Sequence, residues 1–110
     1  MLEINTEQFQ EEVIKATTGV AVVFTAPWCG FCDSMYRVVE AVQKEFPDIK
    51  FCKVDIGLEP ELARKYTVSS VPTTLVFSDG TIKDRKTGLL KKIELYNMIL
   101  KVSHEKKAHV

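Results

Sequence analysis

Two cysteines separated by two residues stand in the stretch Ala26-Pro27-Trp28-Cys29-Gly30-Phe31-Cys32. Thiols at this spacing can close and reopen a disulfide, or supply half of a zinc site. Their surroundings favour the first chemistry. The segment before them, Val20-Ala21-Val22-Val23-Phe24-Thr25, is apolar and β-branched and reads as a buried strand. After them, Cys32, Met35, Val39, Val42 and Phe46 recur at steps of three and four, which predicts an amphipathic helix from about Cys29 to Phe46. The pair thus falls where a strand ends and a helix begins. The unpaired N–H groups and the positive end of the helix dipole there favour a thiolate, the nucleophilic form of the thiol. Cys29 is the expected attacker. Cys32, one turn further along the inward stripe, is the expected shielded partner that reaches the same sulfur, the arrangement reversible dithiol exchange requires. Zinc normally takes four ligands, and beyond this pair the sequence offers only Cys52, His104 and His109, so no metal site is expected.

The elements that must hold this pair follow in order. Leu2-Glu3-Ile4 can form a short strand, and Asn5 or Thr6 can cap a helix with Phe9, Val13 and Ala16 on one side. The run 20–25, apolar on both faces, suits a central strand. The long helix stops before Pro47, and Ile49–Asp55 is the next strand, parallel to the first through a right-handed crossover. Glu59 or Pro60 opens a short helix through Leu62, Ala63 and Tyr66. A loop, Thr67–Thr73, leads into the strand Thr74–Phe77, a turn at Asp79-Gly80, and a polar edge strand Thr81–Thr87. Gly88 breaks the pattern. A final helix is expected with Leu89, Ile93, Tyr96 and Leu100 inward. The order βαβαβαββα gives an α/β fold, a mixed central sheet flanked by helices on both faces, over 1–102, with a flexible tail over 103–110.

The 110 residues, 45% of them apolar, suffice for one core. Fifteen basic residues balance fifteen acidic ones without a long basic run, so neither nucleic acid nor an anionic membrane has an electrostatic hold. No apolar stretch reaches the length of a membrane span, and the first residues lack the layout of a secretory signal. Three cysteines are too few for a stapled scaffold. The expectation is a soluble cytoplasmic monomer whose cysteine pair works by cycling.

Strand, Trp28-Cys29-Gly30-x-Cys32 and amphipathic helix together resemble the thioredoxin family, over the whole chain except the tail. Thioredoxins have proline where this chain has Phe31, and Ala26-Pro27 is similar to the lead-in of protein disulfide isomerase domains. Val71-Pro72-Thr73 matches the second family motif. The resemblance implies that Pro72 follows a cis peptide bond and packs against the active-site disulfide, and that the N–H and C=O of Val71 meet an extended substrate strand. It implies an apolar substrate surface made of Trp28, Gly30, Phe31, Val71, Pro72 and Gly88 around Cys29. It further implies a protein-disulfide reductase that binds no cofactor, acts on disulfide-containing proteins and is reset by an NADPH-dependent thioredoxin reductase.

Three departures stand out. The family's buried aspartate beneath the site corresponds to Val23, while its partner lysine is retained as Lys53. Asp55, two residues along the same strand, is a candidate substitute, so Lys53 and Asp55 are the candidate pKa-tuning residues. Phe31 should alter the redox poise. Arg37 replaces a helix-bending proline. Cys52 is expected to be a buried, inert thiol. The alternatives are a disulfide oxidant or isomerase with a raised potential, and a binding or adaptor module on the same fold.

Overall fold

A computed structural model describes residues 1–103 of the chain. Its strands are β1 (Leu2–Glu3), β2 (Val20–Thr25), β3 (Lys50–Asp55), β4 (Thr73–Ser78) and β5 (Thr81–Thr87). Its helices are α1 (Thr6–Phe9, continued by a π-helical turn over Gln10–Ile14), α2 (Cys32–Gln43), α3 (Pro60–Lys65) and α4 (Lys92–Leu100). The expected order βαβαβαββα is the one observed. β2 is the middle strand of a five-stranded sheet ordered β1-β3-β2-β4-β5, and all six of its residues are buried.

β3 runs parallel to β2, with Val23 opposite Lys53 and Thr25 opposite Asp55. β4 runs antiparallel, with Val23 opposite Thr74 and Phe24 opposite Thr73. Because successive strand residues point to opposite faces, the sheet divides the interior in two. Ala21, Val23, Phe51 and Val76 pack with Met35, Val39 and Val42 of α2 and Leu95, Met98 and Ile99 of α4. Val22, Phe24, Cys52, Val54 and Leu75 pack on the other side, with Phe9, Val13, Leu62 and Ala63.

The local signals for turns and caps hold. Asn5 Oδ1 accepts from the Gln8 N–H at 2.8 Å and Gln8 Oε1 accepts from the Asn5 N–H at 2.9 Å, a reciprocal cap. Asp79 and Gly80 both have positive φ, +52° and +75°, as the tight hairpin turn requires. β5 is exposed along its length apart from half-buried Asp84.

β3 begins one residue later than expected and β4 is one residue longer at each end, but the larger boundary differences are at α2. α2 begins at Cys32, not Cys29, because residues 26–31 turn on themselves: the Cys29 N–H reaches Ala26 O at 3.1 Å, and Phe31 supplies the first helical acceptor, to the Met35 N–H at 2.9 Å. At the far end the i→i+3 bonds from Glu45 to Val42 and from Phe46 to Gln43 tighten the chain after Gln43. α4 is rotated from its expected face. Leu95, Met98 and Ile99 are buried, Tyr96 and Leu100 are half-buried, and Leu89 and Ile93 are exposed. This helix is apolar nearly all round, and the burial of Leu90 just before it fixes which stripe faces the sheet. Val102, the last residue of the expected domain, is buried, and so is Ser103, the first of the expected tail, with Ser103 Oγ 3.3 Å from Asp48 Oδ2. Residues 104–110, including His104 and His109, lie outside the described residues.

Candidate active site

The C-terminal end of β2 delivers the chain through buried Ala26 to the cysteine pair, which is joined as a disulfide with Cα atoms 5.5 Å apart. The two sulfurs are placed unequally. Cys29 is half-buried ahead of α2, whereas Cys32, its first residue, is 3% exposed on the stripe it shares with Met35, Val39 and Val42. Either side of Cys29 stand two large apolar side chains left in solvent, Trp28 at 69% and Phe31 at 62% exposure. The Trp28 ring lies over Gly57, where an added Cβ would come within 3.3 Å of two ring atoms.

The second motif arrives at the same end of the sheet by register. Thr73, the first residue of β4, pairs with Phe24 on one side and with Thr87 on the other. Val71 and Pro72 precede it and Gly88 follows Thr87, so all three lie beside the end of β2 that carries the disulfide. The Val71–Pro72 bond is cis, and the Gly88 N–H donates to Pro72 O at 2.7 Å. Pro72 is buried, Val71 half-buried. Gly88 has φ +97°, a conformation that strongly favours glycine. A Cβ at Gly30 or at Gly88 would meet nothing within 4 Å, so the space above both backbones is open.

Beneath the disulfide the electrostatics are sparse. Val23 is fully buried, flanked in register by Lys53 and Thr74. Lys53 is half-buried, and its ammonium lies 4.8 Å from the centre of the Tyr36 ring on α2, a cation–π contact that holds the charge beside the helix. Asp55 is drawn the other way. Its Oδ1 accepts from the Gly57 N–H at 2.8 Å and the Leu58 N–H at 3.2 Å, which shapes the turn after β3. No aspartate or glutamate is fully buried among the described residues.

Two features escaped sequence reasoning. Leu58, 68% exposed, follows the glycine on which Trp28 rests and extends the apolar surface; an apolar residue in a predicted loop was the available signal. Thr74 is a buried polar residue on the sheet face beneath the site, visible in the sequence only as a hydroxyl in an otherwise apolar strand. Cys52 is fully buried on the opposite face of the sheet, and burial pushes its thiol up to about 11. No group of three or more His, Cys, Asp or Glu placed to hold a metal occurs among the described residues, and none of their helices is long and apolar enough to cross a membrane.

Known proteins are similar to this chain in sequence. The sequence model of the Thioredoxin family matches residues 1–101. The chain is 38% identical over 98 residues to a thioredoxin of Chlamydia trachomatis, covering 89% of this chain and 94% of that protein. It is 35% identical over 97 residues to a thioredoxin of Rickettsia bellii, covering 87% and 92%. With thioredoxin 1 of Synechococcus elongatus it shares 35% over 92 residues, or 83% and 86% of the two chains.

Proposed function

Since the chain belongs to the thioredoxin family and is a thiol–disulfide oxidoreductase, we propose that it works as a protein-disulfide reductase, with Cys29 attacking and Cys32 resolving. The observation that carries the reading is the unequal burial of the two sulfurs beside an exposed apolar surface. Cys29, as thiolate, attacks one sulfur of a substrate disulfide; a new S–S bond forms and the other substrate sulfur leaves as thiolate. Cys32 then loses its proton and attacks the Cys29 sulfur, and the second substrate thiolate leaves. The substrate gains two electrons and the pair is oxidised to the disulfide.

Trp28, Gly30, Phe31, Val71, Pro72 and Gly88 receive the substrate in this reading. The open space above Gly30 and Gly88 admits a peptide backbone, and Val71, ahead of Pro72, offers main-chain hydrogen bonds to it. A small apolar surface of this kind suits brief encounters with many disulfide-bearing proteins. An NADPH-dependent thioredoxin reductase is the electron donor the family suggests, and a reducing compartment such as the cytoplasm is where such a cycle runs. The scheme needs no bound cofactor, because the electrons pass through the sulfurs.

Trapping with a disulfide-bearing protein tests the roles. Cys32→Ser should accumulate a covalent mixed disulfide through Cys29, and Cys29→Ser should neither turn over nor trap. Trapping through Cys32 in Cys29→Ser, at the efficiency of the other variant, would reverse the assignment.

A further inference from the structure

Thr74 is fully buried and its Oγ1 has no hydrogen-bond partner. Buried polar atoms are normally paired, so the exception calls for a reason. Its position supplies one. Thr74 lies directly opposite Val23 across the β2–β4 pair, and residues so paired project from the same face of a sheet. That face, shared with Ala21 and Val76, is the one α2 covers through Met35, Val39 and Val42. Cys32 opens the same stripe of α2. Thr74 is the first residue of β4 on this face, one step from the end of the sheet that carries the disulfide. The orphan hydroxyl and the buried cysteine therefore occupy the same end of one helix–sheet layer.

In the disulfide state neither sulfur carries charge, and a neutral sulfur is a weak acceptor. Opening the pair changes this, because Cys32 must become a thiolate to resolve a mixed disulfide. We propose that the Thr74 hydroxyl donates a hydrogen bond to the Cys32 thiolate and so makes the resolving sulfur available near neutral pH. This rests on the dithiol-exchange reading above. Thr74 is no base; it favours the charged form of Cys32, and the proton itself passes to solvent.

The charged groups on the surrounding elements are engaged elsewhere or exposed, and Asp55 of β3 accepts from the Gly57 and Leu58 N–H groups. Lys53 of β3, beyond Val23, lies over Tyr36 of α2. Lys86 of β5, opposite Thr74 on its other side, is exposed, as are Asp33 and Arg37 of α2. Glu94 of α4 accepts from the Lys91 N–H at 2.7 Å.

The test is stopped-flow reaction of the reduced protein with excess dithiobis-nitrobenzoate, an aromatic disulfide that releases a coloured thiolate. A first phase, proportional to reagent, reports attack by Cys29. A second, independent of reagent, reports Cys32 displacing the remaining aryl thiolate from Cys29. Thr74→Val should leave the first phase unchanged and raise the pH midpoint of the second by about one unit. Below both midpoints the second phase should slow about threefold, since greater nucleophilicity partly offsets the loss of thiolate, and above both it should quicken about threefold. Thr74→Ser should keep the wild-type profile. Thr74→Val should also raise the thermal midpoint, because an unpaired hydroxyl has been removed, so slower resolution cannot be laid to a damaged fold. Superimposable second phases, or Thr74→Ser behaving as Thr74→Val, would overturn the inference alone. Absence of the first phase in the wild type would overturn the exchange reading and the inference with it.

Discussion

Phe31 stands where the resemblance to thioredoxins implies a proline. It closes the turn before α2 with φ −101° and ψ 0°, while its ring stays in solvent. Its N–H stands two residues past Cys29, and proline would have none to offer. A hydrogen bond to a charged acceptor is worth about 1.5–3 kcal/mol. It acts on the reduced state alone, because the disulfide has no thiolate to receive it. Stabilising the reduced form raises the potential by about 30 mV for each 1.4 kcal/mol in a two-electron couple. Phe31→Pro should therefore lower the potential of the pair by a few tens of millivolts and raise the Cys29 pKa. Both are measurable, by glutathione titration and by thiolate absorbance against pH. An unchanged or higher potential in the variant would show that the ring, and not the amide, sets the poise. At this level the two cysteines, Trp28 and Pro72 were legible because their type and neighbours mark them. Asp55 was not, because a carboxylate on a strand can turn to the following loop as readily as to the core, and here the amides of Gly57 and Leu58 hold it.

The strands were easier to place than the helix faces. β2, and β4 up to Phe77, are continuous apolar or β-branched runs, and burial on both faces accommodates them. α4 is apolar on most sides, so the expected stripe through Leu89 and Ile93 was not the buried one; Leu90 is buried just before the helix, and Leu95, Met98 and Ile99 face the core. One ion pair helps to hold that outcome. Lys101, just past the last turn of α4, reaches Asp84 Oδ2 on β5 at 2.8 Å. The hydrogen bond from Lys101, aided by the Arg85 N–H and by neighbouring lysines, holds the Asp84 carboxyl below its ordinary range, despite some desolvation. A carboxyl depressed in the folded state adds stability above its unfolded pKa, and the gain fades as the pH falls through the folded value. Asp84→Asn should thus cost up to about 1 kcal/mol near neutral pH, as befits a partly exposed pair. In denaturant titrations the gap between variant and wild type should begin to narrow near pH 4 and vanish in stronger acid. A gap that persists at low pH would mean that Asp84 acts through packing or its backbone contacts.

The molecule as a whole is a sheet with one end given to chemistry. The parallel β2–α2–β3 unit brings the cysteines to that end, and the antiparallel β4–β5 pair brings Val71, Pro72 and Gly88 to meet them. This architecture was legible because α2 carries a clear helical period, β2 and β4 read as continuous buried runs, and their order admits few topologies. What the order could not convey is how the polar groups around buried Val23 are engaged: Lys53 beside Tyr36, and an unpaired Thr74 hydroxyl. The equilibrium potential of the Cys29–Cys32 pair, measured against glutathione, tests the reductase reading most directly. A reductase slightly shifted upward by Phe31 should fall between about −270 and −220 mV, whereas a value near −180 mV or higher would mark an oxidant or isomerase and contradict it.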